Sequence, residues 1–146
     1  MKNIIDATIT MLEEDKPVVW ATVVSQEGSA PRSSGSRMLI SKGETTLGSI
    51  GGGKLEAEAM KAAGIYLKER GTQLLSFSLS GKEVAAAGMI CGGNVKVYLE
   101  TIAGDALPFL KELTTSFSRL DGVLFLTAIR KDPAGFNESH LLWARG

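Results

Sequence analysis

Cysteine occurs once in the 146 residues, as Cys91, and histidine once, as His140. One thiol forms no intrachain disulfide, and one thiol with one imidazole falls short of the four ligands of a structural zinc site. Without a disulfide framework the reducing cytoplasm is the expected compartment. An excess of either charge is also missing, since Lys plus Arg and Asp plus Glu both number 16. A broad nucleic-acid surface draws on surplus Lys and Arg, so nucleic acid is not an expected partner. The longest apolar stretches, such as Val123–Ile129, are too short to cross a bilayer. The opening MKNIIDATITMLEEDK carries acids and no small-residue cleavage site, which argues against a signal peptide. What is present is a globular composition, 44% hydrophobic, and length for one domain that buries roughly 70% of its unfolded surface.

Periodicity then lays out the elements. Ile4, Ile5, Thr8, Ile9, Met11 and Leu12 recur at helical spacing, predicting a helix over Lys2–Glu14 that ends before Pro17. VVWATVVS (Val18–Ser25) reads as a buried strand. A polar loop, GSAPRSSG (Gly28–Gly35), leads to a short strand Arg37–Ser41, a turn at Lys42–Glu44 and a return strand Thr45–Ile50. Lys54–Arg70 reads as a helix, with Leu55, Ala59, Ala63 and Tyr66 on one face and Gly71 as its stop. Gln73–Ser80 and Val95–Thr101 alternate as strands, Pro108–Phe117 reads as a helix and Gly122–Arg130 as a buried strand. For EVAAAGMICGG, between the two alternating strands, we expect a loop or a short helical turn. The fold class is therefore mixed α/β (α+β): one layer of largely antiparallel or mixed sheet against two or three helices, in a single domain.

A faint internal echo accompanies this order. Strand, polar loop and SRMLISKG (Val18–Gly43) are followed later by strand, polar loop and SHLLWARG (Val123–Gly146). Either a βloopβ unit is duplicated or two hairpins resemble each other by chance. The last strand stops where the first copy would turn back, so a longer relative and an exposed edge that pairs with a second copy are both expected.

Three stretches carry candidate chemistry. GSIGGGKLE (Gly48–Glu56) joins a strand to a helix start. Free amides at a helix N-terminus, the helix dipole and glycines that admit a close approach together make an anion nest. The lysine is followed by Leu55, so this is no P-loop, and the glycine spacing is not the dinucleotide fingerprint. The alternative is a tight corner with no ligand. Arg32 and Arg37 flank a loop that also offers Ser29, Ser33 and Ser34, and guanidinium forks suit phosphate. Cys91 is followed by Gly92 and Gly93, whose amides could favour a thiolate able to meet a soft metal or take part in sulfur transfer. His140 sits in an apolar strand context and reads as structural. Glu56 and Glu58 complement the helix dipole, and Glu100 closes a strand as a solvated rim residue.

GSAPRSSGSRMLIS (Gly28–Ser41), GSIGGGKLE and CGGNVKVYLE (Cys91–Glu100), in this order, resemble the N-terminal domain of the XdhC/CoxI family, accessory factors for molybdenum hydroxylases such as xanthine dehydrogenase and carbon monoxide dehydrogenase. The resemblance implies a cofactor-insertion chaperone more than an enzyme, one that binds molybdenum cofactor in mono- or dinucleotide form, helps its sulfuration and delivers it to a hydroxylase apoenzyme. A cysteine desulfurase is an implied further partner. Under this reading Arg32, Ser33, Arg37, Gly51, Gly52, Gly53, Lys54, Gly92 and Gly93 hold the cofactor, and Cys91 faces the molybdenum or its sulfur. Family members continue into a C-terminal Rossmann-like domain that Thr101–Gly146 does not supply, so a separate Rossmann-domain protein and a homodimer complete the expected partners. Two other readings use the same residues: a docking or regulatory module that binds no cofactor, and an enzyme with Cys91 as nucleophile, for which no general base can be named.

Overall fold

The computed structural model describes residues 1–28, 32–43, 45–78, 93–119, 122–133 and 135–145. VVWATV, at the start of β1 (Val18–Gly28), is buried at every position, so its sheet is covered on both faces. Helix α1 (Lys2–Glu13) precedes it. Strands β2 (Arg37–Ile40) and β3 (Thr46–Gly48) follow, then α2 (Gly53–Glu69), β4 (Thr72–Ser78) and β5 (Gly93–Ile102). A 3-10 turn (Gly104–Ala106) opens α3 (Leu107–Arg119), and the hairpin β6 (Gly122–Asp132) and β7 (Gly135–Arg145) closes the order. The five-stranded sheet runs β3-β2-β1-β5-β4 with every neighbouring pair antiparallel. The expected fold class and helices are therefore present, with boundaries within a few residues of those expected.

Alternation sorts the strand residues onto two cores. Val19, Ala21, Val23, Met38, Ile40, Val95, Val97 and Leu99 face α2, which meets them with Leu55, Ala59 and Ala63. The small alanines let the helix lie close to the sheet. Val18, Trp20, Leu39 and Ile102 face the other way, against Ile4, Ile5 and Leu12 of α1 and Leu110 and Leu113 of α3. Leu113 is fully buried, so its truncation to Ala costs about 2–5 kcal/mol.

The β6–β7 ribbon differs from the expectation. Asp132 pairs with Gly135, so two residues separate the strands where a long polar loop was expected. Asp132 Oδ1 accepts the Gly135 amide at 3.0 Å and Gly135 takes φ 141°, closing a tight turn. The two halves of the echo therefore make different hairpins. Nor is β6 buried throughout: Val123 and Phe125 pack onto the α1/α3 core, whereas Leu124 and Leu126 on the opposite face are 47% and 46% exposed. The Thr72 hydroxyl donates to the Phe136 carbonyl at 2.9 Å, tying the ribbon to the edge strand β4.

Candidate functional site

On the α1/α3 face, Thr22 lies opposite Arg37 on β2 and opposite Tyr98 on β5, and Trp20 lies opposite Glu100. Alternation alone thus puts a cation and a carboxylate on a face that the ribbon covers. Arg37 is 7% exposed and Glu100 1%. Charges so placed need partners, because desolvation of an isolated ion is expensive.

Arg37 is held by geometry on several sides. Its Nε donates to Thr22 Oγ1 at 2.8 Å, and its Nη1 to the weak acceptor Met1 Sδ at 3.8 Å. The guanidinium carbon lies 4.3 Å from the Trp20 ring centroid and 5.3 Å from that of Phe125, so the cation sits against two aromatic rings. Trp20 is itself fixed: its Nε1–H donates to Thr8 Oγ1 at 2.9 Å, and that hydroxyl donates to the Ile4 carbonyl at 2.7 Å. Burial lowers the Arg37 pKa from its ordinary value, and the charge of Glu100 acts in the opposite direction. Arginine stays protonated nonetheless.

Glu100 meets the ribbon. Its Oε2 lies 2.9 Å from His140 Nε2, and His140 Nδ1 lies 3.1 Å from Thr127 Oγ1. A carboxylate only accepts, so Nε2 carries the proton. The imidazole stacks on Phe125 with centroids 5.5 Å apart and on Phe109 at 6.1 Å. Glu100 Oε1 is buried without a hydrogen-bond partner, an uncommon state for a buried polar atom. A cavity of about 400 Å³ lies here, lined by Thr22, Ser34, Arg37, Glu100, Phe125 and Thr127 among others. That volume falls within the range of small-molecule sites.

The glycine loop lies elsewhere. Gly51, Gly52 and Gly53 take φ 135°, 77° and 55°, a left-handed run that only glycine makes without strain. Their purpose is visible: Glu56 Oε1 accepts from the amides of Ile50 (3.0 Å), Gly51 (3.3 Å) and Gly52 (2.9 Å) and from Ser49 Oγ (2.7 Å). Burial raises the Glu56 carboxyl pKa, while the bonds from Ser49, Gly52, Ile50 and Gly51 lower it more, leaving it below the usual 4.5. The nest is real, and the anion in it is the chain's own.

Two expectations are corrected here. A phosphate shared by the glycine amides and Arg37 is not what this arrangement offers. The amides of Gly51 and Gly52 are taken by Glu56, and α2 packs on the sheet face opposite to Arg37 and Trp20. Glu100 is no solvated rim residue but the most deeply buried acid among the described residues. Arg32 and Ser33 are exposed in the loop before β2, and Lys54 is exposed at the start of α2. Gly93 opens β5 directly opposite Gly28, so the loop leaving β1 and the chain entering β5 start from the same end of the sheet. Cys91 and Gly92 lie outside the described residues. Among the described residues no group of three or more His, Cys, Asp or Glu is placed to hold a metal ion, and no helix is long and apolar enough to cross a membrane.

Known proteins resemble this chain in sequence and in fold. Residues 11–78 match the XdhC and CoxI family. An uncharacterized Escherichia coli protein, YqeB, is 30% identical over 97 residues, which are 66% of this chain and 18% of that protein. A probable xanthine dehydrogenase subunit from Bacillus subtilis is 29% identical over 94 residues, 63% of this chain and 28% of that protein. The chain thus spans less than a third of these curated relatives. A crystal structure of a xanthine dehydrogenase from Bacillus halodurans superposes over 98% of this chain and 45% of its own, with TM-score 0.75 and 23% identity. At that identity the likeness establishes the fold. The XdhC and CoxI match includes β1, Arg37 and the glycine loop, and ends before Glu100 and His140.

Proposed function

We propose that this XdhC and CoxI domain is an accessory factor for a molybdenum hydroxylase, binding molybdenum cofactor and helping its sulfuration and insertion into a xanthine dehydrogenase- or carbon monoxide dehydrogenase-type apoenzyme. The single observation that carries the site is the cavity in which buried Arg37 stands against Trp20 and Phe125 beside Glu100 with its unpartnered oxygen. A pterin ring is flat and has both donors and acceptors, so these residues fit its polar end. The glycine nest does not fit the cofactor's phosphate, because ionised Glu56 already occupies it and would repel a second anion. Arg32, with Ser33, is exposed in the adjoining loop and is the cation we assign to that phosphate. Bound cofactor supplies the redox chemistry of the target enzyme. This chain's residues bind it, orient it and keep water from it.

Cys91 remains the residue proposed for the molybdenum or its sulfur, with a cysteine desulfurase as donor. In the sequence it stands two residues before Gly93, which opens β5 opposite Gly28, and Arg32 follows Gly28 by four residues. A separate Rossmann-domain protein and a second copy of this chain are proposed partners. For the second copy, the support is that β7 pairs only with β6 among the described residues, leaving an edge.

The test is anaerobic purification, followed by metal analysis and by pterin fluorescence after oxidation. Retained molybdenum and pterin, lost together in an Arg32→Ala, Arg37→Ala double variant that still folds, is the expected result. Absence of cofactor in a protein that still binds the apoenzyme would replace this reading with the docking module. A Cys91→Ala variant that holds cofactor and activates the target like the native protein would remove the thiol from the mechanism.

A further inference from the structure

The buried cation and the buried carboxylate of the cavity do not form an ion pair with each other within 4 Å. Arg37 gives Nε to Thr22 and Nη1 to a thioether. Glu100 Oε2 accepts from His140, and Oε1 has no hydrogen-bond partner among the described residues. Five N–H donors belong to a guanidinium, so the Arg37 fork retains donors beyond those two. Nearly every buried carboxylate oxygen finds a donor, and here none of the described residues supplies one to Oε1. Both residues line the same cavity, together with Phe125, and Trp20 lies under the guanidinium. A matching guest carries N–H donors for the carboxylate, an adjacent carbonyl for the guanidinium, and flat apolar faces for the rings. Simple carboxylates and phosphates lack the donors, and purely apolar guests would leave both charges stranded.

Resting on the cofactor-binding reading above, we propose that Glu100 and Arg37 together recognise a 2-amino-4-oxopyrimidine edge. Glu100 accepts from the ring N3–H and the 2-amino group, and Arg37 donates to the 4-oxo oxygen. His140 acts as a positioning residue. By donating to Oε2 it fixes the carboxylate and leaves Oε1 as the oxygen still to be satisfied, and Thr127 in turn orients the imidazole. No bond is made or broken in this step. Two sources present this edge, a pterin and a guanine base, and the experiment separates them.

Affinity is measured by calorimetry near neutral pH on the full chain with four probes. They are pterin, its 2-oxo analogue lumazine, GMP, and IMP, which lacks the 2-amino group. Lumazine keeps the ring N3–H but puts a carbonyl where pterin has the 2-amino group, and loss of one hydrogen bond to a charged acceptor is worth about tenfold or more, so pterin should bind at least about tenfold more tightly than lumazine. A preference for GMP over IMP of that size, with pterin binding weakly, would assign the edge to guanine and still support it. Equal affinities within both pairs, or no binding by any probe, overturns the proposal. In Glu100→Gln one acceptor becomes a donor, so the pterin-over-lumazine ratio should collapse or invert while circular dichroism confirms the fold. An unchanged ratio in that folded variant also overturns it. The native-protein ratios decide the matter if the variant does not fold. Failure of the two readings is distinguishable. Protein that retains cofactor but treats pterin and lumazine alike loses only the edge assignment. Protein that prefers pterin but neither retains nor transfers cofactor keeps the edge and loses the chaperone role.

Discussion

His140 donates its Nε2 proton to Glu100 Oε2 across 2.9 Å, joining the last strand of the chain to the middle of the main sheet over 40 residues of sequence. Glu100 is 1% exposed, so this bond is what keeps one buried carboxylate oxygen satisfied. His140→Ala should therefore destabilise the protein by about 2–3 kcal/mol, the value of a hydrogen bond to a charged group plus the stranding of its partner. Urea denaturation measures the loss. Hydrogen exchange should show it concentrated in β6 and β7, and protection unchanged in the ribbon would contradict the assignment.

Glu56 makes folding sensitive to acid. Its folded pKa lies below the usual 4.5, so the unfolded chain takes up the proton first. The stabilisation is present above the unfolded value and disappears as pH falls through the lower folded value. A denaturation series from neutral pH into that acid range should lose part of its slope in Glu56→Gln.

Removing the same carboxylate should also unmask the nest. Glu56→Ala leaves the amides of Ile50, Gly51 and Gly52 without their acceptor, at about 1–2 kcal/mol, as for loss of a helix N-terminal cap. Inorganic phosphate should restore part of that stability in the variant and do little for the native protein. Melting curves in phosphate and in chloride at equal ionic strength make the comparison.

Gly48 and Gly52 separate strain from steric conflict. Both take left-handed φ, 86° and 77°. A Cβ at Gly48 would stand 2.4 Å from the Arg37 carbonyl oxygen and 2.9 Å from Ile4 Cδ1, whereas at Gly52 nothing lies within 4 Å. Gly52→Ala should cost about 1–3 kcal/mol, the backbone penalty alone, because φ 77° with ψ −174° is a conformation that essentially only glycine adopts. Gly48→Ala should cost clearly more, because backbone of β2 must move, and that shift would also displace Arg37. Equal losses in thermal melts would show that β2 yields more easily than its packing implies.

Much of this molecule was legible in its one-dimensional pattern. Helical spacing of Ile4, Ile5, Thr8 and Leu12 marks α1, the β-branched run from Val18 marks the central strand, and a glycine triplet before Lys54 marks an anion nest at a helix start. These features are local, set by steric limits on single residues and by periods of 3.6 and 2. Glu56 could have been added from sequence, since an acid in the first turn after such a nest is a ready occupant.

Two matters depended on tertiary structure. Alternation along VKVYLE says that Tyr98 and Glu100 share a face, but not that the face is covered. It is covered because Phe125 and His140 arrive on the ribbon from far along the chain. Nor does closeness in sequence show that Arg37 and the glycine triplet are divided by the sheet, with α2 packed on one side and the guanidinium on the other. Local patterns determine which way each side chain leaves its own strand or helix. What covers that side chain is decided by register and by connections between distant segments, and it is this covering that turned a strand-end glutamate into the buried acceptor of the site.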